Sequence, residues 1–423
     1  TPAYRRQRQM CIRDRFIQTK HGKPVLVNLN QLLSHHLLIT GMTGSGKSST
    51  LLSLAEQLQR ENHIGIIFDA TGEFNHLHDA IIYKLGVNAN LPLSQLSVDN
   101  IARILSFDAS TLYKKLVAAV QSLKINQNIM HQSGTYIKIN QELITYNKRV
   151  QALRYAGSDY DASKLADQIT EEFIQPLENS TANFNFLGQQ YNHAEIQKYW
   201  DDILHAKLLL SNRHTQKVFG LPHSFANSNQ DNETQFDLIY VLKLFSGMKS
   251  RHRTLIIDIS DIQDDTKTSQ LVMDILLKQL LFIRAKSNLR LPVTVLLDEY
   301  HRYVPKNAEV MDSGVFKLLR EGRKYGLYAV LSTQSPLDLP TQIRGQFGSV
   351  LAHRLQDSSE IDSILAKQSR KKLPQLANGD GLLKLYESKK PKLVHVVAPE
   401  TQHDTDSPRF LMASQDDFHF INQ

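Results

Sequence analysis

The stretch G-M-T-G-S-G-K-S at residues 41–48 constrains this chain more than any other. It fits Gly-x4-Gly-Lys-Ser, follows the apolar run His36–Thr40 (H-L-L-I-T) and precedes a helix-like segment from Ser48 to Leu58. A glycine-rich turn between a strand and a helix lets successive backbone N–H groups point at one anion, and the helix start adds its positive end. The fit predicts a phosphate-binding loop made of Gly41, Met42, Thr43, Gly44, Ser45, Gly46, Lys47, Ser48 and Ser49. Lys47 is expected to reach the β- and γ-phosphates of a nucleotide, and the Ser48 hydroxyl to hold Mg²⁺.

Further strand candidates are Ile64–Phe68, Thr254–Ile259, Val293–Leu297, Leu327–Ser332, Val350–Leu355 and Leu382–Leu385, with Lys392–Val397 as hairpin partner of the last. Short apolar strands separated by helical stretches predict an α/β fold with a mostly parallel sheet covered by helices. Between about 75 and 250 the pattern changes. Leu112, Leu116, Ala119, Val120 and Leu123 recur at helical spacing, as do Ile196, Trp200, Ile203 and Leu204, while polar runs such as Asn227–Thr234 read as loops. This predicts a mainly helical insertion over 75–250 within a core built from 16–74 and 251–400, followed by a polar tail over 401–423. Trp200 and its neighbours are expected in the core of that insertion.

The net charge of +7 points toward nucleic acid until its distribution is considered. Residues 1–15 hold five Arg and one Asp, or +4, which leaves +3 for the rest of the chain. Met-Cys-Ile-Arg-Asp-Arg at 10–15 resembles the translation of a transposon-end sequencing adapter. Residues 1–15 are therefore expected to be a non-native leader joined to a truncated gene. Cys11 is the only cysteine, which excludes a disulfide or a cysteine metal site within the chain. No apolar run approaches the roughly 18 residues of a bilayer span, and the start lacks the apolar stretch of a signal peptide. The cytoplasm is the expected compartment.

V-T-V-L-L-D-E at 293–299 supplies the second half of a nucleotide site. An apolar strand delivers Asp298 to the sheet edge, where it can support Mg²⁺, and Glu299 beside it can orient and polarise the attacking water. Thr333-Gln334 ends the following strand and is expected to place the Gln334 amide beside the γ-phosphate. The chain has no Asn-Lys-x-Asp box for guanine, which favours ATP, and no Leu-Ser-Gly-Gly-Gln signature. These features describe an ATP-hydrolysing motor or switch.

Several elements then occur in a telling order: G-M-T-G-S-G-K-S, F-D-A-T-G-E-F at 68–74, T-L-I-I-D-I-S at 254–260, D-E-Y-H-R-Y-V-P at 298–305, R-E-G-R-K-Y-G at 320–326 and L-S-T-Q-S-P at 331–336. Over roughly residues 20–400 the chain resembles the HerA branch of the HerA/FtsK ATPases. Ala70-Thr71 replace the family's usual Pro-His, and Tyr300 replaces Ala in its D-E-A-H-like motif. The acids Asp69, Glu73, Asp298 and Glu299 are kept, so hydrolysis is expected to survive. The family's N-terminal β-barrel is largely missing, as a truncated gene would explain. The resemblance implies a RecA-like P-loop core assembled as a homo-hexamer, with ATP and Mg²⁺ held between subunits. It also implies translocation on double-stranded DNA with a nuclease or a defence effector as partner. Two other functions stay open: a nucleotide-dependent switch or scaffold gating a defence effector, and a conjugative or secretion motor.

The basic segment R-E-G-R-K-Y-G admits three readings. One arginine can reach the γ-phosphate held by a neighbouring subunit, a cation can grip the DNA backbone, or the charges can solvate a helix end. Arg323 is assigned to the first role and Lys324, a flexible point charge, to the second; Arg320 stays open. Glu73 is a further candidate for the Mg²⁺ shell, and His301 for transmitting nucleotide state.

Overall fold

The computed structural model describes residues 11–12, 16–19, 22–23, 25, 27–107, 111–222, 235–247, 253–263, 265–287, 291–304, 307–388 and 390–401. The leader apart from residues 11–12, the Asn227–Thr234 loop and the tail after residue 401 lie outside the described residues. Contacts divide the chain into two compact units. The first comprises residues 1–82, 248–260 and 284–423, and the second residues 83–247 and 261–283.

A ten-stranded sheet organises the first unit. Its strands are β1 (Ile17–Gln18), β2 (Leu37–Thr40), β3 (Ile64–Asp69), β4 (Ala80–Lys84), β5 (Thr254–Asp258), β6 (Val293–Leu297), β7 (Leu327–Thr333), β8 (Ser349–Ala352), β9 (Asp380–Lys384) and β10 (Lys392–Val396). The spatial order is β1-β10-β9-β8-β2-β7-β6-β3-β5-β4, with the chain passing along edge strand β4 into the second unit. Strands β8, β2, β7, β6, β3 and β5 run parallel, whereas β9, β10 and β1 continue the sheet antiparallel. The strand candidates read from the sequence are all here, including the final hairpin. They read as unbroken apolar runs because both faces of a parallel sheet are covered: all four residues of β2, all six of β3 and all five of β6 are buried.

Helix α1 (Lys47–Arg60) packs Leu51, Leu52, Leu54, Ala55 and Leu58 with the sheet residues Ile39, Ile67, Leu296 and Val330. Its C-terminal half is tied to the last described residues. Glu56 is buried and accepts hydrogen bonds from the Glu400 and Thr401 N–H groups and the Thr401 hydroxyl. Helices α2 (Thr266–Lys286) and α3 (Gly314–Glu321) lead toward β6 and β7.

The second unit is mainly helical, with its longest described insertion helix at Thr111–Asn128. Leu112, Leu116, Ala119, Val120 and Leu123 are buried along that helix. A buried polar knot accompanies them: Lys138 pairs with Glu172, which also accepts from Ser122 and Gln168. Trp200 departs from expectation. It is 40% exposed, with Leu204 at 39% and Leu208 at 62%. Helix Trp200–Ser211 is apolar on more than one side, and Ile203, Ala206 and Leu210 take the inward face. Trp200, Leu204 and Leu208, spaced by four, share the outward face, where Lys207 covers the indole at 5.5 Å.

Candidate nucleotide site

Parallel strands put all their C-terminal ends on one edge, and the site gathers there. Strand β2 ends in Thr40, and residues 41–46 turn back into α1. Gly46 caps the helix at φ 107°, a conformation closed to most side chains. Gly41 is required for a different reason: a Cβ there would lie 2.6 Å from Ser45 Oγ and 2.7 Å from His353 Cβ. The loop is fastened to the segment just after β8 by the Met42 N–H donating to the Arg354 carbonyl at 2.9 Å.

Beneath the loop His353 is fully buried, 2.9 Å from the Asp380 carbonyl through Nδ1 and 2.8 Å from the Thr50 hydroxyl through Nε2. The Thr50 hydroxyl is also 2.7 Å from the Gly46 carbonyl, so one imidazole supports the first turn of α1. Burial pushes His353 down to about 4, against its contact with Asp380 and helped by the Lys47 charge. The ring is neutral, with Nδ1–H donating to the Asp380 carbonyl.

Lys47 is buried, its Nζ 3.8 Å from Glu299 Oε1 and 3.5 Å from the Met42 carbonyl. Burial lowers its pKa, while the charges of Glu299, Asp298 and Glu73 oppose that shift. Glu299 occupies a left-handed backbone conformation (φ 43°, ψ 43°), a costly choice for a residue with a Cβ. Such strain persists where the surroundings enforce it. A hydroxyl from the next strand does so here: Ser332 Oγ accepts from the Glu299 N–H at 2.9 Å and donates to Asp298 Oδ1 at 2.7 Å. One serine therefore orders both acids. Burial pushes the Glu299 carboxyl up, but His301 and Lys47 outweigh it and hold the carboxyl below its ordinary value. His301 Nδ1 stands 3.1 Å from Glu299 Oε2, within ion-pair reach although the two are not aligned as a hydrogen bond.

Asp298 is fully buried, and burial raises it to about 7 against the Ser332 hydrogen bond, with Glu299, Asp69 and Glu73 adding to the rise. Its Oδ2 has no hydrogen-bond partner among the described residues, and the same is true of Ser45 Oγ and Thr40 Oγ1. A buried carboxylate oxygen left open beside a phosphate-type loop is the feature a divalent cation satisfies, so the residues fit Mg²⁺. Ser48 and Asp298 would hold it together with phosphate oxygens. No cluster of three or more His, Cys, Asp or Glu side chains able to hold a metal by themselves occurs among the described residues.

Gln334 follows β7 and meets the loop directly, the Thr43 hydroxyl donating to its Oε1 at 3.3 Å. Asp69 is spent on structure: Oδ1 accepts from the Thr71 and Gly72 N–H groups and Oδ2 from the Phe74 N–H, which folds the turn 70–74. That turn brings Glu73 near enough to act electrostatically on both Lys47 and Asp298. Asp258, level with Asp69 on the adjoining strand, accepts from the Ser260 N–H and the Asn75 amide and completes an acidic row along this edge.

Arg320, Arg323 and Lys324 are elsewhere. They precede β7, whereas Gln334 follows it, so the two ends of that seven-residue strand separate them by roughly 20 Å. All three side chains are exposed. The sequence reading passed over Ser332, His353 and Asp258. Ser332 lies within L-S-T-Q-S-P, but only the pairing of β7 with β6 brings it to Asp298.

A family model described as Helicase HerA, central domain (DUF87) matches residues 15–280, more than half of the chain. The chain is 22% identical over 346 residues to a probable DNA double-strand break repair helicase HerA of Methanocaldococcus jannaschii, covering 78% of this chain and 63% of that one. It is 23% identical over 355 residues to the DNA double-strand break repair helicase HerA of Saccharolobus solfataricus, covering 81% and 59%. The chain thus spans about three fifths of the length of these curated relatives. Among solved structures, VirB4 of Thermoanaerobacter pseudethanolicus superposes with a TM-score of 0.54 at 13% identity, covering 90% of this chain and 95% of that one. The bacterial conjugative coupling protein TrwBdeltaN70 gives 0.50 at 12% identity, covering 94% and 91%. These likenesses agree with a RecA-like P-loop ATPase fold. On the extent of the family match, the chain belongs to the HerA helicase central-domain family.

Proposed function

We propose that this chain is an ATP hydrolase that forms a ring and couples hydrolysis to movement on double-stranded DNA. The observation that carries the reading is the convergence of Lys47, Asp298, Glu299 and Gln334 on one sheet edge, with an open buried oxygen of Asp298 among them. Lys47, now beside Glu299, exchanges that carboxylate for the β- and γ-phosphates of ATP. Glu299 is then held ionised by His301 and accepts the proton of the attacking water. Gln334 and Thr43 form a paired contact that the γ-phosphate can divide. Mg²⁺, when bound by Ser48 and Asp298, supplies charge neutralisation along the phosphates.

The position of Arg323 on the opposite edge suits a residue offered to a second subunit. Head-to-tail packing in a ring joins two different surfaces of the subunit, so an edge away from the chain's own nucleotide site is available to a neighbour's nucleotide. There an arginine stabilises the charge that develops during phosphoryl transfer. The relatives' names, DNA double-strand break repair helicases, support DNA as the track. Work at broken ends calls for a nuclease, the partner proposed here, and a defence effector is the alternative.

The test measures ATP turnover with and without linear duplex DNA, together with displacement of a streptavidin roadblock from that DNA. Stimulation with displacement, both lost in Lys47→Ala, is expected. Stimulation without displacement would leave a nucleotide switch in place of a motor.

A further inference from the structure

The backbone that carries Arg323 is gripped at both ends by buried side chains from distant parts of the chain. Helix α3 ends at Glu321, and Gly322–Tyr325 continues as a single tight turn before β7. At the near end His36 Nε2 lies 2.8 Å from the Leu319 carbonyl, one of the carbonyls a helix leaves open in its last turn. The same imidazole accepts the Ala329 N–H of β7 through Nδ1 at 2.9 Å. That contact fixes the tautomer: Nδ1 has no proton, so Nε2–H donates to Leu319. His36 is 1% exposed and sits at φ 59°, a strained conformation directly before the strand that leads to the phosphate loop. At the far end Arg284 of α2, also 1% exposed, donates to the Tyr325 carbonyl through Nε at 3.1 Å and Nη2 at 2.9 Å, and to the Leu291 carbonyl at 2.6 Å. Gly322 lies in the middle, where a Cβ would press on Leu318 and Leu327 at 3.2 Å.

We propose that His36 and Arg284 are positioning residues that clamp the Gly322–Tyr325 turn and present Arg323 in one fixed place to a second copy of this chain. This rests on the reading of Arg323 as a residue acting on a neighbour. The physical reason is preorganisation. An arginine that must meet charge developing on another molecule's phosphate is useful in proportion to how little it must be ordered at that moment. Long side chains on a mobile turn would lose that advantage, and two buried clamps remove the mobility of the backbone beneath it. Neither clamp touches the chain's own nucleotide site, so the effect falls on what the subunit gives and spares what it binds.

The test separates giving from receiving. A Lys47→Ala subunit cannot hold ATP but still offers Arg323, and an Arg323→Ala subunit does the reverse. An equimolar mixture should therefore turn over ATP at more than ten times the sum of the separate proteins. His36→Asn tolerates the positive φ and keeps an acceptor near Ala329, but is too short to reach Leu319. Placed in the Lys47→Ala subunit, it should remove at least 90% of the complementation. Placed in the Arg323→Ala subunit, it should leave complementation within twofold. His36→Gln, which can still reach Leu319, should be a competent donor. Arg284→Lys, which loses the fork, should fail as donor in the same asymmetric way. Full complementation by a His36→Asn donor overturns the proposal, and so does equal loss in both placements, which is a general folding defect. If the parent Lys47→Ala and Arg323→Ala proteins do not complement, the trans reading of Arg323 falls first and takes the clamp with it.

Discussion

The two edges of the central sheet are opposites in charge and alike in support. On the C-terminal edge the working groups are acids and one lysine, buried, with oxygens of Asp298, Ser45 and Thr40 left open. On the N-terminal edge the notable groups are cations, exposed, while the backbone under them is hydrogen-bonded at Leu319 and Tyr325. Beneath each edge lies a buried neutral imidazole, His353 under the phosphate loop and His36 under the arginine turn. On the function proposed above, the first edge receives and the second gives. A receiving edge keeps unsatisfied groups for its ligand, whereas a giving edge must be complete in its frame and open only at its tips.

The comparison breaks most visibly at Arg323. Arg323→Ala should lower turnover by about 10³–10⁵-fold, the range for arginines acting in trans on phosphoryl transfer, while calorimetric nucleotide affinity stays nearly unchanged. Loss of affinity on the same scale would place Arg323 within its own subunit's site, against its position before β7. Glu299→Gln, on the receiving edge, should lower turnover by about 10²–10⁴-fold and still bind ATP. Because the neutral amide no longer pairs with Lys47, affinity should hold or rise. A variant that loses binding and turnover together would show that Glu299 holds the site together and does not act on water.

The shared support under both edges can be tested through pH. Burial lowers His36 and His353 from 6.5 to about 4, so the native rings stay neutral while the unfolded chain takes up protons below about 6.5. Each ring's contribution is therefore fully present above 6.5 and is lost as pH falls through about 4. Urea unfolding at pH 5 should show the native state weakened by about 2 kcal/mol per imidazole relative to pH 7.5. His36→Asn and His353→Asn should each remove one such share of the slope. If only His353 carries a slope, the arginine turn is not supported as the phosphate loop is.

What the sequence revealed and what it hid follow from the same physics. The loop 41–48 was legible because phosphate chemistry demands glycines and a lysine at fixed spacing within one local turn. Asp298 and Glu299 were legible because they end an apolar strand, and the strands because burial on both faces leaves no polar alternation. His36, Ser332, His353 and Arg284 were not, since each acts on a partner far along the chain. His36 meets Leu319 across 283 positions, and Thr50 meets His353 across 303. Nothing local marks such a residue as a clamp. Trp200 misled for the opposite reason, because an apolar residue at helical spacing does not say which side of a helix with apolar residues on more than one side faces inward.

The smallest effect concerns the contact between the phosphate loop and Gln334, proposed above to respond to the γ-phosphate. The Thr43 hydroxyl donates to Gln334 across 3.3 Å at an exposed position, so water competes for both groups. A hydrogen bond of that kind contributes no more than about 1 kcal/mol. In a double-mutant cycle of Thr43→Val and Gln334→Leu followed by thermal unfolding, the coupling without nucleotide should fall at or below about 0.5 kcal/mol. Repeated as kcat in saturating ATP, the same cycle should give a larger coupling, because the γ-phosphate then stands between the two groups and both must answer to it. A coupling that is the same in stability and in turnover would mean that Gln334 braces the loop and senses nothing. The receiving edge would then lack the contact by which it distinguishes ATP from ADP.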